Sequence, residues 1–169
     1  MSLFIFPLAV FAFCQIYAAI SDAASMRISN RLCLAVMVAF LFALPVSGAD
    51  FGATAEHFLV GLTIFVVGFI LFAVGGMGGG DSKLMAATAL WWSWSDLALY
   101  IVAVTALGGV LAIVILAGRH YVPVRIATGA LTSRIFSDQK RMPYGIALSL
   151  GALIVLPSSD IVQRALLGG

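Results

Sequence analysis

The sequence predicts an all-α, polytopic integral membrane protein: one domain, residues 1–169, with six transmembrane helices. Three observations predict it. The 169 residues are 63% hydrophobic and 9% charged, with a mean hydropathy of +1.14, whereas a soluble domain carries roughly a quarter charged residues. Long uncharged runs recur from one end of the chain to the other. The basic residues collect on one side of the topology those runs define. Nine basic and seven acidic side chains cannot cover a water-soluble surface of this size, which excludes an ordinary cytosolic enzyme. Disorder is excluded as well, because it needs low hydrophobicity. A net charge of +2 is too small to point to nucleic acid, and the lipid bilayer is the expected surrounding. Cys14 and Cys33 stand in apolar stretches and read as small core residues, not as a disulfide or a metal site.

The elements follow in order. Residues 1–21 are uncharged and make the first helix. A cleaved signal peptide is not expected there, since no Lys or Arg precedes Arg27. Runs 32–49 and 58–80 make the second and third helices, and 84–95 is a short apolar stretch between Lys83 and Asp96. Run 97–118 leads into a basic loop, and 142–159 is the last. A spanning helix takes about 20 apolar residues, so five runs qualify and the fourth is short. The positive-inside rule decides whether that one crosses. If all six cross, loops 22–31, 75–83 and 119–141 share one side and hold eight of the nine Lys and Arg residues. The other side receives Arg164 with Asp50, Glu56, Asp96 and Asp160. Were the fourth to stay out, the most basic loop would move outside, against the bias. Six crossings with both termini outside follow.

Two carboxylates are oddly placed. Asp22 closes the first helix, ahead of Arg27, Ile28, Ser29 and Asn30. Asp81 follows five glycines in the six positions 75–80 and opens the short fourth helix. Trp91, Trp92 and Trp94 lie at that helix's far end, where indoles favour the membrane interface. Asp81 to Trp94 spans about 20 Å as a helix, against a hydrocarbon core of about 30 Å. That places Asp81 roughly 10 Å below the opposite interface, by subtraction of the two lengths. An ionisable residue at such depth is a functional candidate that needs a cavity or a partner. The glycines let an extended chain approach the backbone closely. The plainer reading is a tight turn and a helix N-terminal charge, and the spacing of a phosphate-cradling motif is absent. Asp50, Asp96, Asp138 and Asp160 lack motif context and are expected to be loop or interface charges. His57 is expected to be solvated in an outer loop. His120 beside Arg119 reads as a helix-end charge, loop 119–141 as lying on anionic lipid, and Gln15 and Tyr17 as packing or hydrogen-bonding residues.

Gly78-Gly79-Gly80-Asp81-Ser82-Lys83 fits the GxGDxK signature, and with it the chain resembles the type IV prepilin peptidases, which are intramembrane aspartic proteases. Asp22 stands ahead of Ile28-Ser29-Asn30, similar to the family's Ile-Pro-Asn element but with Ser where Pro is usual. Pro143-Tyr144-Gly145 resembles the family's Pro-Tyr-Gly segment at the start of the sixth helix. The resemblance implies a catalytic dyad of Asp22 and Asp81. It implies that Gly78, Gly79, Gly80, Lys83, Asn30, Pro143, Tyr144 and Gly145 bind substrate or shape the site, Lys83 either by countering charge or by anchoring its helix. Larger family members carry a cytosolic insertion with paired Cys-x-x-Cys motifs and an N-methyltransferase activity. This chain has neither the insertion nor its paired cysteines, and it looks like the short, peptidase-only branch associated with Flp-type (tight adherence) pili. Removal of a basic leader from a prepilin at the cytosolic face of the bacterial inner membrane is then implied, without cofactor or metal and with pilus assembly machinery nearby. The residues alone leave two other readings open: a small ion- or proton-coupled transporter using Asp22 and Asp81, or a noncatalytic pilus or secretion assembly protein.

Overall fold

The computed structural model of the chain describes residues 2–121 and 142–167. Residues 122–141 of the basic loop, and with them the expectation of a lipid contact there, lie outside the described residues. The described residues form seven α-helices: α1 (Ser2–Ser25), α2 (Asn30–Ala43), α3 (Phe51–Ala73), α4 (Gly79–Ala89), α5 (Trp94–Tyr121), α6 (Gly145–Val155) and α7 (Asp160–Leu167). A 3-10 turn at Leu156–Ser158, set by Pro157, joins α6 to α7. Four stretches are long and apolar enough to cross a membrane: Leu3–Ser25, Phe51–Ala73, Trp94–Gly118 and Gly145–Leu166. The second run is shorter, Asn30–Val46, because Pro45 ends α2 in a 3-10 turn. With 11 residues α4 is shorter still, and at about 1.5 Å per residue it reaches roughly half a bilayer. Outward faces are densely apolar, as at Phe6 (72% exposed), Phe69 (60%) and Val102 (67%). Exposed apolar surface on this scale suits lipid, not water. The protein is an all-helical polytopic membrane protein.

Local chemistry sets the helix ends. Ser29 caps α2, its side chain accepting the Leu32 N–H, and its φ of −76° is one that proline also adopts. Asp50 caps α3 through the Ala53 N–H at 2.7 Å. That helix closes in a Schellman pattern: the Gly75 N–H reaches the Phe72 carbonyl (3.0 Å) and the Gly76 N–H the Leu71 carbonyl (2.8 Å). Gly75 takes φ +78°, which a side chain would disfavour. Ser93 and Asp96 cap α5 reciprocally, Ser93 N–H to Asp96 at 3.1 Å and Asp96 N–H to Ser93 at 3.2 Å.

α4 sits in the interior, packed on α3 and α2, while α1 packs on α2 and α6, and α6 on α5. An aromatic core ties them. Phe11 meets Trp91 at 4.5 Å between ring centroids, Trp91 meets Phe40 at 6.1 Å, and Trp92 meets Tyr100 at 5.6 Å. Trp91 and Trp92 are therefore fully buried, not interfacial, and Trp94 alone of the three is exposed. The Trp91 indole N–H finds the Val36 carbonyl at 3.2 Å, so its polar handle is satisfied inside. The depth assigned to Asp81 loses its reference mark with them.

Two further expectations are corrected. His57 is buried against Phe40, because the Asp50 cap starts α3 well before the last charge and carries His57 into the helix. Asp96 is also buried. Its Oδ2 accepts from the Ser93 N–H and hydroxyl and from the Asp160 N–H at 3.0 Å, tying α5 to α7.

Candidate functional site

Where α1 ends and α4 begins, a cavity of about 1150 Å³ opens. Tyr17, Ser21, Asp22 and Ser25 of α1 form one wall, and the 26–30 connection forms a second. The backbone of 75–80 with Asp81 forms a third, and Met142 and Tyr144 complete the lining among the described residues. The Met26 backbone turns sharply at φ +51° to leave α1, and the Ser21 hydroxyl donates to the Arg27 carbonyl at 2.8 Å to hold that connection.

Asp22 and Asp81 come from helices far apart in sequence and line this one cavity. Asp22 is 5% exposed, and its Oδ2 accepts the Gly145 N–H at 2.7 Å. A Cβ added at Gly145 would lie 2.8 Å from that same oxygen, so glycine is what lets the α6 backbone reach the carboxylate. Asp81 occupies the first turn of α4 with Gly78 as N-cap, partly exposed to the cavity. The helix N-terminal position of the plainer reading and the cavity position of the sharper one both hold for it.

Of the other residues singled out by sequence, Gly78, Gly79, Gly80, Asn30 and Tyr144 line the cavity. Lys83, Pro143 and Gly145 do not line it. Lys83 Nζ donates to Asn30 Oδ1 at 3.0 Å, clipping α4 to the start of α2 at an exposed rim. Pro143 is buried. Sequence reasoning passed over Ser21, Ser25, Arg27 and Met142 as lining residues and left Tyr17 undecided. The first three lie within one or two turns of Asp22, a proximity that could have flagged them. Among the described residues no group of three His, Cys, Asp or Glu side chains is placed to hold a metal ion.

The arrangement presents two carboxylates on one cavity, one of them oriented by a backbone amide, beside glycine backbone that carries no side chains. Such a pair in a partly dry cavity can hold a single proton between them and act as acid and base together. Residues 9–113 match the type IV leader peptidase family. The chain is similar to the prepilin leader peptidase/N-methyltransferase of Bacillus subtilis (strain 168), with 27% identity over 168 residues. That similarity covers 95% of this chain and 59% of the relative, so the chain spans about three fifths of the curated relative's length. No solved structure matches it. With more than half of its residues in the family match, the chain belongs to the type IV leader peptidase family.

Proposed function

We propose that this protein is an aspartic-type endopeptidase that removes the leader from Flp-type prepilins at the cytosolic face of the bacterial inner membrane. The observation that carries the reading is the meeting of Asp22 and Asp81 on one cavity, with Gly145 holding Asp22. The family match and the named relative support the peptidase reading. The mechanism follows from the pair. One carboxylate is ionised and one protonated, since two charges so placed do not coexist cheaply. The ionised member takes a proton from a water molecule as that water attacks the scissile carbonyl. The protonated member donates to the carbonyl oxygen, which forms a neutral tetrahedral diol. Collapse of the diol breaks the C–N bond: the proton gained by the first carboxylate passes to the departing amine, and a diol hydroxyl returns its proton to the second carboxylate, which resets the pair. The substrate's extended leader junction lies along the glycine-rich backbone of 75–80, and its apolar helix stays in the bilayer.

The peptidase acts without methyl transfer, a reading supported by the absence of Cys-x-x-Cys motifs from this chain. Purified protein in nanodiscs, given a Flp-type prepilin and S-adenosylmethionine, should release a leader ending in Gly and a mature pilin of unmodified mass. An uncut prepilin, or a pilin carrying one added methylene, would contradict the proposal.

A further inference from the structure

One buried polar contact lies outside the cavity. Gln15 of α1 and Thr88 of α4 are both fully buried, and Gln15 Nε2 donates to Thr88 Oγ1 at 2.8 Å. Gln15 is the one amide side chain of α1, in an otherwise apolar stretch. Burying an amide without a partner is costly, so the contact restricts how α1 and α4 may meet. Hydrophobic burial gives little such restriction between helices in lipid, where interhelical hydrogen bonds and close packing choose the pairing.

The spacing on the two helices is matched. Gln15 lies seven residues before Asp22, and Thr88 lies seven residues after Asp81. Seven residues are close to two full turns, so on each helix the bonding residue and the aspartate share a face about 10 Å apart. α1 runs down to Asp22 while α4 runs up from Asp81, because the end of one and the start of the other line the same cavity. In antiparallel helices, equal offsets mean that joining Gln15 to Thr88 brings Asp22 level with Asp81. Phe11 against Trp91, further along in the same sense on both segments, continues this register. Yet the main packing partners of α1 are α2 and α6, and those of α4 are α3 and α2. Direct contact between α1 and α4 is slight, so the Gln15–Thr88 bond is a direct polar tie between two helices otherwise related through α2, α6 and the Phe11–Trp91 pair.

We propose that the Gln15–Thr88 hydrogen bond is the register lock of the site. Gln15 and Thr88 are positioning residues that act on the reaction through Asp22 and Asp81. The inference rests on the peptidase reading above. A slip of one residue moves one carboxylate past the other by about 1.5 Å, and a misplacement of about 1 Å can cost on the order of 100-fold in rate.

The test uses the full chain in nanodiscs with a Flp-type prepilin, comparing wild type with Thr88→Val, Thr88→Ser, Gln15→Leu and the Gln15→Leu/Thr88→Val pair. Thr88→Val keeps the shape and removes the hydroxyl. It should lower kcat by about 10-fold or more at unchanged KM, and Thr88→Ser should restore most of the rate. The pair should be no slower than either single variant, and its thermal midpoint should not fall, since both polar groups are replaced together. A wild-type kcat for Thr88→Val would overturn the lock. So would Thr88→Ser as slow as Thr88→Val, or a loss in the pair equal to the product of the singles. If Gln15→Leu fails to insert, the Thr88 Val and Ser variants decide alone. Asp81→Asn in the same assay separates the claims: no cleavage by wild type sinks the peptidase reading, and cleavage by Asp81→Asn sinks the dyad and the lock with it. An inactive Asp81→Asn beside a normal Thr88→Val sinks the lock only.

Discussion

Replacing Gly145 by alanine puts a methyl group in place of a hydrogen where α6 meets Asp22. The new Cβ would stand 2.8 Å from Asp22 Oδ2, and 2.9 Å from both Asp22 Cγ and Ile28 Cδ1. Ordinary contact begins at about 3.5 Å, so the carboxylate must withdraw by about 0.7 Å. Ile28 Cδ1 crowds the same methyl. The same displacement stretches the 2.7 Å Gly145–Asp22 hydrogen bond toward the limit of bonding. A hydrogen bond to a charged group is worth about 1.5–3 kcal/mol, and sub-ångström misplacement of a reacting group costs about 10- to 100-fold. Gly145→Ala should therefore lower kcat for leader cleavage by about 10- to 100-fold, or roughly 1.4–2.8 kcal/mol of barrier. KM should change little, because the carboxylate does not bind the leader. The assay is steady-state cleavage of a prepilin in nanodiscs, normalised to inserted protein, with Gly109→Ala as control, since a Cβ there meets nothing within 4 Å. Equal kcat for Gly145→Ala and wild type would refute the claim that this amide positions Asp22.

Asp96→Ala should destabilise the end of the bundle far from the cavity. It orphans the Ser93 and Asp160 donors that now converge on one oxygen, at about 1–3 kcal/mol; thermal unfolding should show a lower midpoint while cleavage per folded molecule is unchanged. Ser29→Pro should leave processing intact and stability within about 1 kcal/mol, since the backbone at φ −76° already fits proline and stiffening of the unfolded chain offsets the lost cap. An inactive Ser29→Pro would show that the serine hydroxyl does more than cap α2. Topology is read by thiol labelling in a background with Cys14 and Cys33 replaced by alanine. A cysteine at Gly76 should be shielded from a membrane-impermeant reagent in intact cells, and one at Phe51 should label; the reverse pattern would invert the proposed orientation.

The helical runs were legible because charges are so sparse that each one punctuates the chain. The two aspartates were legible because each sits where apolar helix meets polar loop, with glycines beside one of them. Other features had no local signature. The Gly145 amide and the Asp22 carboxylate are 123 residues apart, and Gln15 and Thr88 are 73 apart, so only the folded bundle pairs them. The fates of Trp91 and Trp92 were hidden for a different reason. In a membrane protein, lipid-facing and core-facing positions are equally apolar, so hydropathy does not separate an interfacial indole from a buried one. His57 was misplaced because Glu56 looked like a loop charge. Asp50, three residues ahead of the Ala53 amide it caps, carried the signal for an earlier helix start.

The central claim is that Asp22 and Asp81 work as one catalytic unit. Processing of a co-expressed Flp-type prepilin, normalised to membrane-inserted protein, tests it with Asp22→Asn, Asp81→Asn and both together. The amide keeps the shape of each side chain and removes the ionised base or the donated proton. Each single variant should lose at least about 1000-fold in processing, and the double variant should be little worse than either, as expected of groups that act together. Near-normal cleavage by either single variant would contradict the dyad.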